Sequence, residues 1–439
     1  MTTAAAILGE LGLASAPAVE PARPVPLPAR TAVAELAWAG VSAASAAAAA
    51  LAGAPSVRLD PDRIALAYAS EKRLLVDGEH PEAFAALSGF FRAADGWVRT
   101  HGNYPHHAAA LRRGLGLGDS ALRDDVAAAL QRLPAAAAAE RVTGAGGLCV
   151  VVRAEDPARD ARLRTEPLID VRSIGAAPAS PRLAGSADAP LRGIRILDLT
   201  RVIAGPVGTR TLALLGAEVL RIDPPGIPEI AAQHLDTGHG KRSALLNLSA
   251  PADRARFDEL LRTADVVALG YRATSLARLG LSPDALIRRR PGLVVAQHTA
   301  WADPDRRGFD SLVQAACGIA VIEGAADAPG VLPAQALDHT TGYLLAAGVM
   351  AALARRAAEG GSWLVATSLR RVAAELLGMP RTAAPPASTP IDPAPHVQEF
   401  DVAGSRVTTV GPAVGYAGGP TAFAAPRPWG GDRAAWLDR

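Results

Sequence analysis

Hydrophobic and polar positions change their spacing several times along the second half of the chain. Ile194–Leu199 is an apolar run that predicts a buried strand, and Glu218–Ile222 predicts a second strand. Between them a helical pattern runs to Leu215 and stops at Gly216, the residue type that most often follows a helix end. Strand, helix and strand in this order predict a βαβ unit of a parallel, doubly wound sheet. Such sheets bind ligands at the carboxyl ends of their strands, so the pattern predicts a binding site in this half.

The residues before this unit show a different mixture of patterns. Residues 90–100 alternate around an Asp-Gly pair and predict a β-hairpin, residues 119–133 predict an amphipathic helix, and residues 148–152 predict a short buried strand. We therefore predict four regions in the chain. They are a Pro/Ala-rich linker with an Ala-rich helix (1–56), a small α+β domain (57–175), a Rossmann-like α/β domain with a doubly wound parallel sheet (190–382) and a Pro/Gly-rich C-terminal tail (383–439).

Composition narrows the class of protein. The 439 residues suffice for two or three domains, and a net charge of +2 without a run of basic residues argues against a nucleic-acid partner. Two cysteines, Cys149 and Cys317, predict no disulfide framework and favour a reducing compartment. The N-terminus lacks the pattern of an export signal, so we expect a cytoplasmic protein. Residues 36–54 are long and apolar enough to span a bilayer, but they are mostly Ala and Ser, so we expect a packed helix and no membrane partner.

Several common catalytic motifs do not occur in the sequence. The first βα loop contains Gly-Pro-Val-Gly (205–208) rather than Gly-x-Gly-x-x-Gly, which argues against a dinucleotide cofactor even though Asp223 ends the second strand. No Gly-x-Ser-x-Gly elbow is present, which argues against a serine hydrolase. His101, His106 and His107 have no Asp, Glu or Cys at ligand spacing, so we predict no metal site.

Five segments of the second half share their motifs, and the order of those motifs, with one enzyme family. The segments are 193–226, 238–248 with Gly-Lys-Arg-Ser, 264–281 with Gly-Tyr-Arg and Leu-Ala-Arg-Leu-Gly-Leu, 307–318 with Gly-Phe-Asp, and 338–348 with Asp-His-Thr-Thr-Gly. Together they resemble the class III CoA-transferases, which include formyl-CoA transferase, carnitine CoA-transferase and alpha-methylacyl-CoA racemase. Residues 85–170 resemble the family's small domain, which here precedes the large domain instead of following it. The resemblance thus implies a family member with a small-domain-like segment placed N-terminally, and a homodimer.

The resemblance implies a role for particular residues. Asp338 corresponds to the catalytic carboxylate, which attacks the thioester of an acyl-CoA and carries CoA to a carboxylic acid through an aspartyl-CoA intermediate. Asp310 is expected to orient a loop or a helix end. No tightly bound cofactor or metal is implied, because the coenzyme A thioester is itself the substrate. The residues expected near CoA are Val202, Ile203, Ala204, Lys241, Arg272, Arg278 and Leu279.

The residues themselves also allow simpler interpretations. Asp338 precedes a helical pattern at Tyr343–Arg356, where an Asp commonly caps the helix, and a carboxylate there is stabilised as the anion by the helix dipole. His339 is expected to face solvent or to cap the helix. Each single arginine has a solvated surface charge as its alternative role.

Two departures from the family pattern keep alternative functions open. Phe309 stands where the racemase branch has a proton-transferring His, which favours transfer over racemisation because Phe exchanges no proton. The loop 297–307 is shorter than in the family and contains no glycine, so acyl specificity or activity is expected to differ. The main prediction is a CoA-transferase that acts on an acyl-CoA and a small carboxylic acid. The alternatives are a racemase, another isomerase or a lyase-like enzyme of the same fold, and a non-catalytic CoA-binding partner subunit.

Overall fold

The computed structural model describes residues 4–13, 19, 21–82, 84–180, 185–325, 327–388 and 390–438. The strands of this part of the chain are β1 (Leu75–Val76), β2 (Gly89–Ala93), β3 (Gly96–Thr100), β4 (Cys149–Val151), β5 (Asp170–Gly175), β6 (Arg195–Leu199), β7 (Glu218–Asp223), β8 (Lys241–Leu245), β9 (Val266–Leu269), β10 (Val294–Thr299), β11 (Ser362–Ser368), β12 (Val397–Val402) and β13 (Ser405–Val410).

The helices are α1 (Ala4–Glu10), α2 (Val33–Ala52), α3 (Pro61–Tyr68), α4 (Ser70–Arg73), α5 (Pro105–Gly114), α6 (Arg123–Gln131), α7 (Ala135–Gly144), α8 (Pro157–Leu163), α9 (Ala204–Leu214), α10 (Ala231–Thr237), α11 (Pro251–Leu261), α12 (Ala273–Arg278), α13 (Pro283–Arg289), α14 (Asp310–Cys317), α15 (Ile319–Ile322), α16 (Ala336–Glu359) and α17 (Leu369–Gly378).

A seven-stranded sheet in the order β5-β11-β10-β9-β6-β7-β8 organises the second half. All neighbouring strands in it run parallel except β5, which pairs antiparallel with β11. One face is buried against α9 and α16, and the other against α11 and α13. Strands covered on both faces need apolar residues at successive positions, which explains the continuous apolar runs. The predicted βαβ unit is confirmed as β6, α9 and β7, and the fold is mixed α/β with a mostly parallel sheet.

The region predicted as a small α+β domain contains a second sheet and one strand of the main sheet. The predicted hairpin is present as β2 and β3, which pair antiparallel, and β4 extends it to three strands. The helix predicted over 119–133 is shorter, since α6 begins at Arg123. Strand β5 lies inside the predicted boundary yet forms an edge of the seven-stranded sheet. The first half of the chain is therefore joined to the second by backbone hydrogen bonds as well as by side-chain packing.

Helix α2 is a buried helix of the shared core. It is, within the described residues, the one helix long and apolar enough to cross a membrane, and 83% of its apolar window is buried. Its Ala-rich surface lies against α16, and Gly40 allows the close approach, since a Cβ there would lie 3.4 Å from the side-chain methyl group of Thr340 on α16. The packed helix expected from the Ala-rich composition is what the structure contains.

The region predicted as a C-terminal tail also packs on the rest of the chain. Strands β12 and β13 form a hairpin, and β13 pairs with β1. Further along, Asp432 accepts a hydrogen bond from the backbone N–H of Ser243 at 3.0 Å. Trp429 donates its indole N–H to Asp223 at 3.0 Å. This region thus covers the edge of the main sheet at β8.

Candidate active site

The loop that follows β6 has a strained backbone at the carboxyl edge of the sheet. Val202 has φ of 70°. A β-branched side chain rarely adopts this left-handed conformation, and such strain is concentrated at functional sites. The Val202 N–H donates to the Glu229 carboxylate at 3.2 Å, which holds the loop in place. Ile203 and Ala204 are buried directly behind it at the start of α9.

Glu229 is the centre of a buried ionic cluster beneath this loop. Its carboxylate accepts from Arg221 at 2.6 Å and from Arg201 at 3.3 Å. The hydroxyl of Tyr104, from the first half of the chain, donates to the same carboxylate. Burial acts to raise the pKa of Glu229, but the two guanidinium groups and the Tyr104 hydroxyl outweigh it and lower the pKa to about 2. The cluster therefore fixes the strained loop and ties the two halves together.

Lys241 is enclosed in the protein interior rather than directed to solvent. Its ammonium donates to Asp198 at 3.1 Å, to the Thr209 hydroxyl at 2.6 Å and to the Pro206 carbonyl at 2.9 Å. Burial lowers the pKa of Lys241 to about 8, although Asp198 acts in the opposite direction. All three protons of the ammonium have partners inside the fold. This placement favours a structural role over the predicted contact with CoA phosphates.

Asp338 lies in the first turn of α16, which differs from the predicted position. The helix begins at Ala336, seven residues before the predicted start, so Asp338 is its third residue and not its N-cap. The residue is 7% exposed, and its carboxylate oxygens form no hydrogen bond with another described residue. A buried carboxylate without partners is costly to keep ionised and marks a site where chemistry is expected.

Asp310 stands directly against this carboxylate. One of its oxygens accepts the backbone N–H of Asp338 at 3.0 Å, and the other accepts the side-chain amide of Gln314. Burial raises the pKa of Asp310 to about 6. Burial, followed by repulsion from Asp310 and then Glu71, raises the pKa of Asp338 well above the usual carboxyl range. The geometry fits the orienting role expected for Asp310, while the anion of Asp338 is disfavoured in spite of the helix dipole.

His339 and Glu71 extend the polar group around Asp338. His339 is fully buried, and its Nε2 lies 3.3 Å from the Glu71 carboxylate. Its ring also packs on Tyr68, with centroids 5.3 Å apart. The expectation that His339 faces solvent or caps the helix is therefore wrong, because α3 and α4 cover this side of α16. Neither Glu71 nor Tyr68 carries a motif that sequence reasoning detects.

Phe309 precedes the Asp310 helix and lies under a histidine of the first half. The rings of His101 and Phe309 are parallel, with centroids 3.8 Å apart and planes 2° apart. His107 and Tyr104 contact the same phenyl ring at 6.0 and 6.4 Å between centroids. The histidines singled out in the sequence thus line the junction of the two halves. Phe309 is the common packing partner of His101 and His107, whereas the His106 ring packs against Tyr104 and His107.

The remaining predicted CoA residues follow β9. Arg272 is half-buried before α12, Arg278 is exposed at the end of that helix, and Leu279 packs against the core beneath the sheet. None of them forms a hydrogen bond or an ion pair with Asp338 in the described part of the chain. The β6 loop does approach α16, because a Cβ on Gly342 would lie 2.6 Å from the Ala204 carbonyl oxygen. Gly342 lies one helical turn beyond Asp338 on α16. The end of the strained loop therefore contacts α16 close to the Asp338 carboxylate.

Comparison with known proteins finds a family match over the region that contains this site. Residues 191–407 match the sequence profile of CoA-transferase family III. The matched region contains the strained loop, Asp310 and Asp338. The second half of the chain therefore carries a CoA-transferase family III region that contains these residues.

The chain is also similar to individual proteins over part of its length. The chain is 33% identical over 205 residues to the probable fatty acyl-CoA transferase of Mycobacterium tuberculosis, covering 43% of this chain and 52% of that protein. It is 32% identical over 200 residues to the acetyl-CoA:oxalate CoA-transferase of Acetobacter aceti, covering 42% and 50%. A crystal structure of a hypothetical protein from M. tuberculosis is 34% identical, with a TM-score of 0.41, covering 43% of this chain and 56% of that one. The chain therefore spans about half the length of these relatives.

Proposed function

We propose that this protein is an acyl-CoA:carboxylate CoA-transferase with Asp338 as its nucleophile. The observation that carries the proposal is the unpartnered carboxylate of Asp338, buried at the start of α16 inside the family-matched region. Its neighbour Asp310 holds the Asp338 backbone at 3.0 Å and so fixes the direction of the side chain. Relatives named as CoA-transferases of acetyl-CoA and oxalate, or of succinyl-CoA and glutarate, support the substrate class.

The reaction would proceed by transfer of acyl groups between carboxylate oxygens and the sulfur of CoA. The ionised Asp338 attacks the thioester carbonyl, the C–S bond breaks, and CoA thiolate leaves a mixed anhydride on the side chain. The thiolate then attacks the Asp338 carbonyl carbon and releases the first acid as its carboxylate, which leaves an aspartyl-CoA thioester. An acceptor carboxylate repeats the two steps in reverse and leaves with CoA, and the free Asp338 carboxylate is regenerated.

Burial and charge around Asp338 set the proton requirement of the first step. The nucleophile must be ionised, whereas burial, Asp310 and Glu71 favour its protonated form. The rate of acylation should therefore continue to rise with pH above the pH at which an ordinary carboxyl group is fully ionised.

Other parts of the proposal concern the arrangement of the substrate and the protein. We propose that CoA enters at the carboxyl edge of a Rossmann-like sheet, with the pantetheine arm beside Val202, Ile203 and Ala204 and the nucleotide end toward Arg272 and Arg278. A cytoplasmic homodimer without a tightly bound cofactor belongs to the same proposal. Phe309 supports transfer over racemisation, since its ring cannot carry a proton between two faces of a substrate carbon.

The test is mass spectrometry of the purified protein after incubation with a panel of acyl-CoAs, with and without hydroxylamine. We expect a CoA thioester, or a hydroxamate after hydroxylamine, on the peptide that contains Asp338. Asp338→Ala should abolish the mass shift. The exposed Asp119→Asn serves as the control and should retain it. An unmodified Asp338 peptide in a protein that binds CoA would refute the proposal and favour a CoA-binding partner subunit.

A further inference from the structure

A cleft of about 720 Å³ separates the first half of the chain from the loop that follows β10. Helix α7 and strand β4 form one wall, and Trp301 and residues 305–307 lie on the other. This volume is in the range of pockets that hold a ligand larger than a small acid. The cleft is the place where the shortened loop 297–307 meets the N-terminally placed α+β segment.

Arginine dominates the charge of this cleft. Its lining contains two carboxylates, Glu140 and Asp305, against six arginines, an excess of four positive charges. The six arginines are Arg153, Arg159, Arg272, Arg306, Arg307 and Arg370. Only Arg370, which pairs with Asp160, has an ion-pair partner among the described residues.

The guanidinium groups come from both walls and face one another. Burial, followed by repulsion from Arg159 and then Arg153, lowers the pKa of Arg306, while Asp303 acts in the opposite direction. Burial and then repulsion from Arg272 lower the pKa of Arg307. Like charges held together in excess over the carboxylates destabilise the free protein, and an anionic ligand between them would relieve that cost.

One helix is shared by the cleft and the carboxylate pair. Leu312 lines the cleft and belongs to α14, whose first residue is Asp310. Asp310 in turn binds the backbone of Asp338. The cleft and the proposed nucleophile are therefore connected through α14.

We propose that this cleft holds the phosphate groups of the CoA nucleotide, with Arg153 and Arg159 of the N-terminal segment clamping them against Arg306 and Arg307. The inference rests on the proposed function, because it assumes a CoA thioester as substrate. The pyrophosphate and the 3′-phosphate of CoA carry roughly four negative charges at neutral pH. Five arginines of the lining have no ion-pair partner among the described residues and are available to them. Guanidinium groups bind phosphate oxygens through paired N–H donors, so several arginines on two walls suit two separate phosphate groups.

The test compares CoA, dephospho-CoA and pantetheine by isothermal titration calorimetry. The double variant Arg153→Gln/Arg159→Gln removes two charges from the cleft. Arg141→Gln/Arg162→Gln removes two exposed charges from α7 and α8 at positions that do not line it. In the first variant we expect the Kd of CoA to rise roughly 10–100-fold and that of pantetheine to change less than about 2-fold. The matched control should bind both as the wild type does.

Other results would overturn the proposal. An equal Kd of CoA in the two double variants would show that Arg153 and Arg159 do not bind CoA. An equal loss for CoA and pantetheine would show that the substitutions act elsewhere. Weakened binding of succinate with unchanged binding of CoA would assign the cleft to the acceptor acid. Failure of the proposed function has a separate signature: arginine-dependent CoA binding without modification of Asp338 would leave the cleft assigned and remove the transfer chemistry.

Discussion

Replacing Lys241 with methionine separates the structural role of this residue from the CoA contact suggested by its motif. Met retains most of the unbranched side chain but removes the ammonium. Asp198 would then be a fully buried carboxylate that has lost its cation. Breaking a buried ion pair on one side costs about 3–5 kcal/mol. We expect the lower end of this range, about 3 kcal/mol, because Thr200 and Thr209 still donate to Asp198.

The assay is urea denaturation followed by tryptophan fluorescence, with CoA affinity measured on the same samples. Lys241→Met should lower the free energy of unfolding and leave the Kd of CoA within about 2-fold of the wild type at low denaturant. The double variant Asp198→Asn/Lys241→Met should recover part of the loss, because the uncompensated charge is gone. A stability change below about 0.5 kcal/mol together with a large loss of CoA affinity would refute the reasoning and restore the predicted phosphate contact.

Three further predictions test the site and its packing. Asp338→Asn should be more stable than the wild type at pH 8 and nearly equal to it at pH 4, as measured by thermal melts. Folding raises the pKa of the Asp338 carboxyl group, so the stability that its protonated form contributes is lost as the pH rises through that pKa. An equal difference in stability at both pH values would contradict this. Gly342→Ala should cost about 1–3 kcal/mol in denaturant titrations, because its Cβ would lie 2.6 Å from a carbonyl oxygen, whereas Gly118→Ala, with nothing within 4 Å, should change stability little. Tyr104→Phe should lower the free energy of unfolding by about 1.5–3 kcal/mol, because the anion of Glu229 loses a buried donor, and an unchanged value would show that this bond contributes nothing.

The sequence predicted most accurately the elements with strong periodicity. The apolar run at Ile194–Leu199 and the Asp-Gly hairpin at 90–100 both formed as predicted, since burial on two faces and turn chemistry are local properties. The start of α16 was missed by seven residues. Its first two turns contain Asp338, His339, Thr340 and Thr341, and these polar residues resemble a loop until α3 and α4 cover them.

The residues of the candidate site also differ in how far they can be predicted from local sequence motifs. Asp310 and Asp338 were predicted as site residues because each lies in a recognisable motif, and the structure brings them together. Glu71 and Glu229 were missed, since each acts through partners more than a hundred positions away, His339 and Tyr104. Lys241 shows a related limit, because its motif predicts a place near CoA but does not reveal that its ammonium pairs with the buried carboxylate of Asp198.

The packing of α2 against α16 has a consequence for the order in which the chain is made. Ala336 emerges from the ribosome about 280 residues after Ala52, so an almost entirely apolar helix has only the short helices α1 and α3 beside it and lacks its main partner during that time. At roughly 5–20 residues per second, the delay amounts to about 15–60 s. Until then the helix must remain shielded by a chaperone, by provisional contacts or by incomplete folding, and a fragment that starts after it would expose the face of α16 that it normally covers. Synthesis rate and chaperone supply are therefore expected to limit the yield of this protein more than the intrinsic stability of its finished fold.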